Sequence, residues 1–328
     1  MRVQYLLDLY PLLSESYIRT EIDFLRRSGC DVRVWARQRA TAAYTSDVPV
    51  EYGDRPMRPI LSNRPEIVHT HYLPNGQILA AEIRGVPLTV RGHVVDYDRD
   101  IAAQLVANPQ VKRVFLFPHF AAHHDSRKVI PVTAAYDPER FAPAATKDWR
   151  LVVRAATGRS RKDLEGFIRV AAAMRAHFQF VMPITRPDDW APYVDGLVKM
   201  NRDLGNPVAL RFNQQYEDVA ALVAQAGICL RSHDPTFHRY GMPVSVAEAM
   251  GAGCLILARD CAEARAYAGD AALYFGDDAG AISLLRDVAA WTTAQREAAQ
   301  ARALAQARKY AAPVVLQKIK DEWKALLA

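Results

Sequence analysis

The chain has 328 residues, of which half are hydrophobic and about a quarter are charged, and its formal net charge is +6. This length fits two domains with a core each, and the composition is ordinary for a globular protein. No long run of Lys and Arg and no nucleic-acid-binding motif is present, so we expect no nucleic-acid partner.

The cysteines and the apolar runs indicate where the protein works. Cys30, Cys229, Cys254 and Cys261 form no C-x-x-C pair, and three of them lie in or beside apolar strand-like runs. We therefore expect reduced core cysteines in a cytoplasmic protein. The chain starts directly with a predicted strand, so we expect no signal peptide. No apolar run approaches the roughly 18 residues of a membrane span, which leaves only peripheral membrane contact open.

The N-terminal residues predict a parallel strand-helix-strand unit. The strands are Val3–Tyr10 and Asp31–Ala36, and the amphipathic helix Tyr17–Ser28 between them ends at Gly29. This pattern is typical of a doubly wound α/β fold. The unit contains no G-x-G-x-x-G, which argues against a dinucleotide oxidoreductase.

Polar residues follow the first strand. Ser14 and Glu15 would lie at its carboxyl end, where open α/β sheets bind ligands. The alternative is that Ser14 or Ser16 only caps the following helix.

A similar arrangement follows the strand Pro87–Arg91, which leads into His93 and Asp96. Both side chains would lie just past the end of a parallel strand. Two further histidines, His69 and His71, end the preceding strand, and we interpret them as structural. We expect no metal site, because no Cys or acidic residue accompanies these histidines at ligand spacing.

The segment around residues 134–145 predicts the domain boundary, since Pro138, Pro143 and two alanines follow one another closely there. The predicted division is an N-terminal domain of residues 1–143, a C-terminal domain of residues 144–312, and an amphipathic helix at residues 313–328.

The second domain opens with a candidate phosphate-binding loop. Gly158, Arg159, Arg161 and Lys162 lie between the predicted strand Leu151–Ala155 and the helix that begins at Leu164. Positive charge combined with the free amides of a helix start favours a phosphate. A loop exposed to solvent, with no ligand, is the alternative.

The stretch from Arg239 to Ala258 reads as loop, helix, glycine stop and buried strand. On the helix, Glu248 shares a face with small and apolar residues. Helical side chains lean toward the helix N-terminus, so this carboxylate could accept two ribose hydroxyls while the helix-start amides face phosphates. The alternative is a partly buried Glu248 paired with Arg239 or Arg259.

The sequence P-V-S-V-A-E-A-M-G-A-G-C resembles the donor-nucleotide motif of the family-4 retaining glycosyltransferases, and it is similar in particular to bacterial polysaccharide-type hexosyltransferases. Glu248 matches the family glutamate that holds the nucleotide ribose. The resemblance also implies a donor-binding role for Pro243, Val244 and Ser245 and for two residues that precede them, Tyr240 and Gly241. A second family glutamate falls on Tyr240, so we predict a donor with fewer hydroxyls, such as a deoxy-sugar.

The R-K-D-L segment resembles the family's R-K-N-L, whose lysine neutralises the donor diphosphate. Lys162 matches that lysine. The family's arginine, five residues earlier, falls on Thr157, so Arg159 or Arg161 must replace it. The strand Val208–Phe212, together with Asn213, falls where the family binds the nucleobase.

The N-terminal domain carries the remaining matches. His93, followed by Asp96, resembles the family histidine that faces the donor from this domain. The opening of the chain resembles polysaccharide-building members of the family, which assigns Ser14, Glu15 and Asp96 to the acceptor side.

The resemblance implies an α/β protein of GT-B type, with two Rossmann-like doubly wound parallel-sheet domains that face a cleft. The N-terminal domain would face the acceptor, the C-terminal domain would bind the nucleotide-sugar, and the last helix would cross back to the N-terminal domain. The implied reaction moves a hexose from a nucleotide diphosphate-sugar, with retention, to a glycan, a lipid-linked or a small-molecule acceptor, without cofactor or metal. Two alternatives stay open: a catalytically silent nucleotide-binding scaffold, and an epimerase or phosphorylase of the same fold.

Overall fold

The computed structural model describes residues 1–186, 188–234, 236 and 243–328. Tyr240 and Gly241, expected to bind the donor, and Arg239, a candidate partner of Glu248, lie outside these residues. The described chain forms two compact units. The first comprises Met1–Ala135 and Ala312–Ala328, and the second comprises Tyr136–Ala311.

The first unit contains a parallel sheet. Its strands are Arg2–Tyr10 (β1), Asp31–Arg39 (β2), Val50–Tyr52 (β3), Ile67–His71 (β4), Leu88–Arg91 (β5), Val111–Leu116 (β6) and Val129–Pro131 (β7). Their order is β3-β2-β1-β4-β5-β6-β7. The chain leaves β1 in one direction and returns to its other side at β4, so the carboxyl ends of β1 and β4 flank a topological switch point, where open sheets bind ligands.

The helices of this part of the chain are Ser16–Arg27 (α1), Met57–Asn63 (α2), Leu73–Glu82 (α3), Arg99–Ala107 (α4) and Pro118–Ala121 (α5). Helix α1 buries Ile18, Ile22 and Leu25 against the sheet as an amphipathic helix should. Glu15 occupies its N-cap position and makes no side-chain capping bond, so neither Ser14 nor Ser16 is the capping residue.

The second unit contains another parallel sheet. Its strands are Asp148–Val153 (β8), Ala156–Thr157 (β9), Gln179–Thr185 (β10), Val208–Phe212 (β11), Ala226–Arg231 (β12), Leu255–Arg259 (β13) and Ala272–Phe275 (β14). The order is β11-β10-β8-β12-β13-β14, and β9 pairs with β10. Its switch point lies between the carboxyl ends of β8 and β12.

The helices of the second unit are Leu164–Met174 (α6), Ala191–Asp203 (α7), Tyr216–Gln225 (α8), Val244–Gly251 (α9), Ala262–Ala268 (α10), Asp278–Ala289 (α11) and Thr293–Ala307 (α12). Helix α9 and strand β13 occupy the helix and buried strand expected between Arg239 and Ala258. The strand is buried along most of its length, as both-face burial in a parallel sheet requires.

The division between the units falls after Ala135, whereas the sequence placed it after Pro143. The difference has a packing reason, because Tyr136 and Phe141 are buried in the core of the second unit. The last helix, Ala312–Leu327 (α13), belongs to the first unit, where Leu316 and Trp323 are fully buried in the core. No helix among the described residues is both long and apolar enough to span a bilayer.

Candidate active site

Buried arginines organise the switch point of the second unit. Arg154 follows β8 directly and is fully buried. Its guanidinium donates to the carbonyl of Lys162, to Ser232 Oγ, and to the Ser232 carbonyl at 2.7 Å. Arg154 therefore ties the loop after β8 to the residues that follow β12.

This loop concentrates positive charge. Burial lowers the pKa of Lys162 well below its ordinary value, and the neighbouring cations Arg231, Arg159 and Arg154 lower it further. Burial, followed by Arg231, lowers the pKa of Arg154 to about 9. Cations held close together at a sheet edge favour an anionic ligand, because the ligand relieves their mutual repulsion.

The candidate phosphate-binding loop, residues 158–162, has little steric freedom. The Gly158 amide donates to the Thr185 carbonyl at 2.8 Å, and a Cβ built at Gly158 would lie 2.4 Å from Val194 Cγ2. Glycine is required there by close packing. Asp163 then caps α6 by accepting from the Gly166 amide at 3.0 Å.

The structure places Glu248 in the core of the second unit. Its residue is 4% exposed, and its Oε1 accepts a hydrogen bond of 2.8 Å from the Tyr216 hydroxyl. The Arg140 guanidinium covers the other side of that phenol, 4.9 Å from the ring centroid. At the start of the same helix, Pro243, Val244 and Ser245 are half-buried; Pro243 holds the N-cap position.

Phe212 and Asn213 end strand β11. The Phe212 side chain is 38% exposed, which leaves a face of its ring accessible for stacking. Asn213 adopts a left-handed backbone conformation with φ of 48°, which asparagine tolerates better than most residues, and its Oδ1 accepts from the Arg186 amide at 2.9 Å.

The first unit gathers His93 with aromatic and acidic residues at its own switch point. His93 Nε2 lies 2.8 Å from His71 Nδ1, and the two rings stack with centroids 5.1 Å apart. Tyr17 and Tyr72 flank the His93 ring at centroid distances of 4.5 and 5.1 Å. The Tyr72 hydroxyl is hydrogen-bonded to Glu15 and to the Tyr17 hydroxyl.

Asp96 holds the backbone near His93. Its two oxygens accept from the amides of Leu73 and His93, both at 2.6 Å. Burial raises the pKa of Asp96 to about 6 against the opposing effect of these bonds. Asp96 thus joins the start of α3 to the loop after β5, and its use on the acceptor side stays a prediction, as does that of Ser14.

Glu21, His69 and His71 come together beneath His93. Their ligand atoms lie within 4.8 Å of one another, close enough to hold a metal ion. This cluster could not be predicted from spacing in the sequence, because Glu21 lies on α1, far from the histidines along the chain. A positive charge is already present, since the buried Arg91 guanidinium binds Glu21 Oε2. A metal ion would have to enter beside that guanidinium, against its repulsion.

A pocket of about 420 Å³ opens beside the carboxyl ends of β1, β2 and β3. Its lining combines hydroxyls, rings and one guanidinium, and comprises Pro11, Arg39, Ala43, Tyr44, Thr45, Ser46, Val48, Val50 and Tyr52. Among the described residues, Arg39 makes no ion pair or side-chain hydrogen bond. Such a lining suits a hydroxylated, anionic molecule.

The predicted site residues thus fall into two groups, one in each unit. Arg159 and Arg161 are exposed, and Arg159 adds to the positive field at Lys162. Sequence reasoning missed Arg154, Arg231 and Tyr216. An arginine at the carboxyl end of an apolar strand was a usable signal for the first two; nothing in the sequence pointed to Tyr216.

No protein-family model and no curated protein matches the sequence. Solved structures do resemble it. HepE from Anabaena, in complex with UDP and glucose, has a TM-score of 0.76 at 12% identity over 99% of this chain and 100% of its own. Sucrose-phosphate synthase from Thermosynechococcus elongatus has a TM-score of 0.72 at 13% identity, over 100% of this chain and 99% of its own.

A third similar structure is an alpha-glucosyltransferase in complex with UDP and a 13-mer DNA, with a TM-score of 0.71 at 10% identity over 99% of this chain and 100% of its own. At such low identity the likeness establishes the fold. The chain has the GT-B fold, as the resemblance of its motifs predicts.

Proposed function

We propose that this protein is a retaining glycosyltransferase that moves a hexose from a nucleotide diphosphate-sugar to an acceptor hydroxyl. The observation that carries the proposal is the cluster of Lys162, Arg154 and Arg231 at the switch point of the second unit. Cations in this position suit a diphosphate, and the buried Glu248 on α9 supplies the carboxylate that a ribose needs.

Each residue that we propose to bind the nucleotide-sugar has a separate role. Lys162, with Arg159 and Arg161, stabilises the charge on the departing diphosphate, which is electrostatic catalysis at the leaving group. The amides at the start of α9, near Val244 and Ser245, face the phosphates, and Glu248 accepts the ribose hydroxyls. Phe212 offers its exposed ring to the base.

In the reaction, the bond between the anomeric carbon and the diphosphate oxygen breaks, and a bond to the acceptor oxygen forms on the same face of the sugar. The acceptor proton passes to a departing phosphate oxygen. Protein cations provide the positive charge that a metal would otherwise supply, so we propose turnover without a metal. EDTA should leave the rate unchanged.

The donor nucleotide we propose is a uridine diphosphate. HepE and the alpha-glucosyltransferase were solved with UDP, and HepE also with UDP-glucose. We further propose that Tyr240, in place of the family glutamate, relaxes rejection of deoxy-sugars, since sites that bind a hydroxyl reject analogues lacking it far better than the reverse. Comparison of wild type with Tyr240→Glu on a donor panel tests this.

The acceptor site we propose lies in the first unit, in the pocket that contains Arg39, next to the loop that carries Ser14 and Glu15. The guanidinium of Arg39, which has no ion-pair partner in the described part of the chain, favours an acceptor with a carboxylate or phosphate, and the tyrosine rings of the pocket favour a sugar face. Arg39→Gln should raise the acceptor KM and leave the donor KM unchanged.

The test of the proposed function is incubation of the protein with UDP-sugars, with and without candidate acceptors, followed by NMR of the anomeric proton. Release of UDP with a product of unchanged anomeric configuration supports a retaining transferase. Lys162→Ala should reduce turnover about a hundredfold. An epimerised donor, or release that depends on phosphate, would instead identify an epimerase or a phosphorylase. UDP binding with no turnover would indicate a silent scaffold.

A further inference from the structure

The network beneath His93 runs from a buried ion pair to the edge of the candidate site. Glu21 Oε2 accepts a hydrogen bond from the Arg91 guanidinium, and the other terminal nitrogen of Arg91 donates to the Thr133 carbonyl at 2.8 Å. Glu21 Oε1 accepts from the Tyr5 hydroxyl at 2.7 Å. These contacts hold the carboxylate in one place at the centre of the first unit.

The Glu21 carboxylate is ionised. Burial alone would raise its pKa, but Arg91 and the neighbouring imidazoles outweigh burial and hold the pKa well below its ordinary value. The same carboxylate oxygen lies 3.2 Å from His69 Nε2 and 3.4 Å from His71 Nε2. Among the described residues, neither Nε2 atom makes a hydrogen bond of good geometry. At these distances, however, a negative oxygen repels a nitrogen lone pair and attracts an N–H, which favours hydrogen on Nε2 of both histidines.

The position of the proton on His71 determines which nitrogen of His93 is protonated. Burial lowers the pKa of His71 to about 4, so His71 is neutral and holds a single proton. With that proton on Nε2, its Nδ1 is a lone pair and must accept from His93 Nε2 across the 2.8 Å contact. Burial, with His71 and Arg91, also keeps the pKa of His93 well below its ordinary value, so His93 is neutral too.

We propose that Glu21 and His71 are positioning residues that fix His93 as the Nε2–H tautomer, which leaves its Nδ1 as a hydrogen-bond acceptor for a sugar hydroxyl. This rests on the proposed function, because the substrates of a sugar transferase present hydroxyls to the protein. A neutral acceptor with one fixed lone pair selects a ligand that presents a hydroxyl. Arg91 has a separate role, because its charge helps to keep Glu21 ionised.

His69 provides a matched control. It contacts the same carboxylate oxygen as His71 and is equally buried, but its Nδ1 bonds to Thr89 Oγ1 at 2.8 Å and not to His93. Replacement of His69 or His71 by Phe removes one imidazole from Glu21 in either case. Only the change at position 71 removes the acceptor of the His93 proton.

The experiment is nitrogen-15 NMR of histidine-labelled protein at neutral pH, with the His93 signals assigned from His93→Gln. We expect wild type and His69→Phe to show His93 as the Nε2–H tautomer, and His71→Phe to show a mixture or the Nδ1–H form. His71→Asn, whose amide oxygen can replace Nδ1 as acceptor, should restore the wild-type tautomer. A wild-type His93 with its proton on Nδ1 overturns the proposal, even if the variants do not fold.

Turnover supplies a second readout. His71→Phe should lower kcat by about tenfold or more with an unchanged donor KM, the scale seen when an outer partner of a ligating side chain is lost, while His69→Phe keeps the wild-type kcat. Equal losses in the two variants would contradict a positioning role. A stoichiometric transition metal in the purified protein would also contradict it, because His71 Nε2 would then be a ligand. Absence of sugar transfer in wild type defeats the proposed function but leaves the tautomer measurement valid.

Discussion

Lys162 lies among guanidinium groups and binds its proton less tightly than an ordinary lysine does. Burial and the charges of Arg231, Arg159 and Arg154 depress its pKa in the ligand-free protein. A bound diphosphate reverses the sign of the local field, so the pKa of Lys162 rises on binding. At any pH between the pKa of Lys162 in the free protein and its pKa in the complex, nucleotide binding must therefore be accompanied by proton uptake.

We predict uptake of up to one proton per UDP in the pH range above the depressed pKa of free Lys162 and below the ordinary lysine value of about 10.4. In that range the affinity for UDP should fall as pH rises. Calorimetric titrations in two buffers of different ionisation enthalpy measure the uptake. Lys162→Met should abolish it, and uptake of the same size in that variant would assign the proton to another group.

The hydrogen bond from Tyr216 to Glu248 leads to a second prediction at the scale of single residues. Tyr216→Phe removes a 2.8 Å hydrogen bond to a buried carboxylate, and bonds to charged groups contribute about 1.5–3 kcal/mol. We expect UDP affinity to fall about tenfold as Glu248 loses its fixed position. The control is Tyr310→Phe, which removes a buried bond of 2.9 Å to the Tyr267 carbonyl in the same unit. Equal affinities of the two variants would show that Tyr216 does not act through Glu248.

At the scale of elements, the loop after β8 is held by a glycine without room for a side chain. Gly158→Ala would push a methyl group against the buried Val194, and the loop would have to move with Lys162. We predict a folded protein with clearly weaker UDP binding. Circular dichroism and titration with UDP measure both properties.

Gly196 is the matched control because it lies exposed in the middle of α7, where a Cβ meets nothing within 4 Å. Gly196→Ala should raise stability by about 0.5–1 kcal/mol, the difference between Gly and Ala in a helix interior, and leave UDP binding unchanged. Weak binding in both variants would refute the role given to Gly158.

Local sequence pattern predicts elements well in this chain. Helix α9 with its glycine stop and strand β13 follow from apolar spacing and end signals alone, and β1-α1-β2 does as well. The sequence pattern does not predict strand β3 or helix α2, because three strand residues and a seven-residue helix that contains a proline leave too short a pattern. Contacts between elements far apart in the sequence could not be predicted, and the contact of Glu21 on α1 with His69 on β4 is one of them.

At the scale of the whole molecule, the chain returns to its first unit at the end. Trp323 on α13 is fully buried in that core, with its ring centroid 5.1 Å from that of His69. Trp323→Ala should destabilise the first unit by about 3–5 kcal/mol. Val314→Ala, on the same helix but 61% exposed, should change little.

Urea unfolding monitored by one probe in each unit measures the unfolding transitions of the two units separately. For Trp323→Ala we expect the first unit to unfold early, while protection of the second unit by UDP is retained. Loss of both units in one transition at the same lowered urea concentration would show that α13 stabilises the molecule as a whole.

The central claim is that the second unit binds a nucleotide diphosphate through Lys162 and Glu248. Its most direct test is calorimetric titration of wild type, Lys162→Ala and Glu248→Gln with UDP and with uridine. The account predicts one saturable UDP site in wild type and weaker UDP binding in both variants. Loss of affinity for uridine should occur only in Glu248→Gln, because uridine has the ribose but no phosphates. Absence of UDP binding by wild type, or equal affinity in all three proteins, would contradict the account.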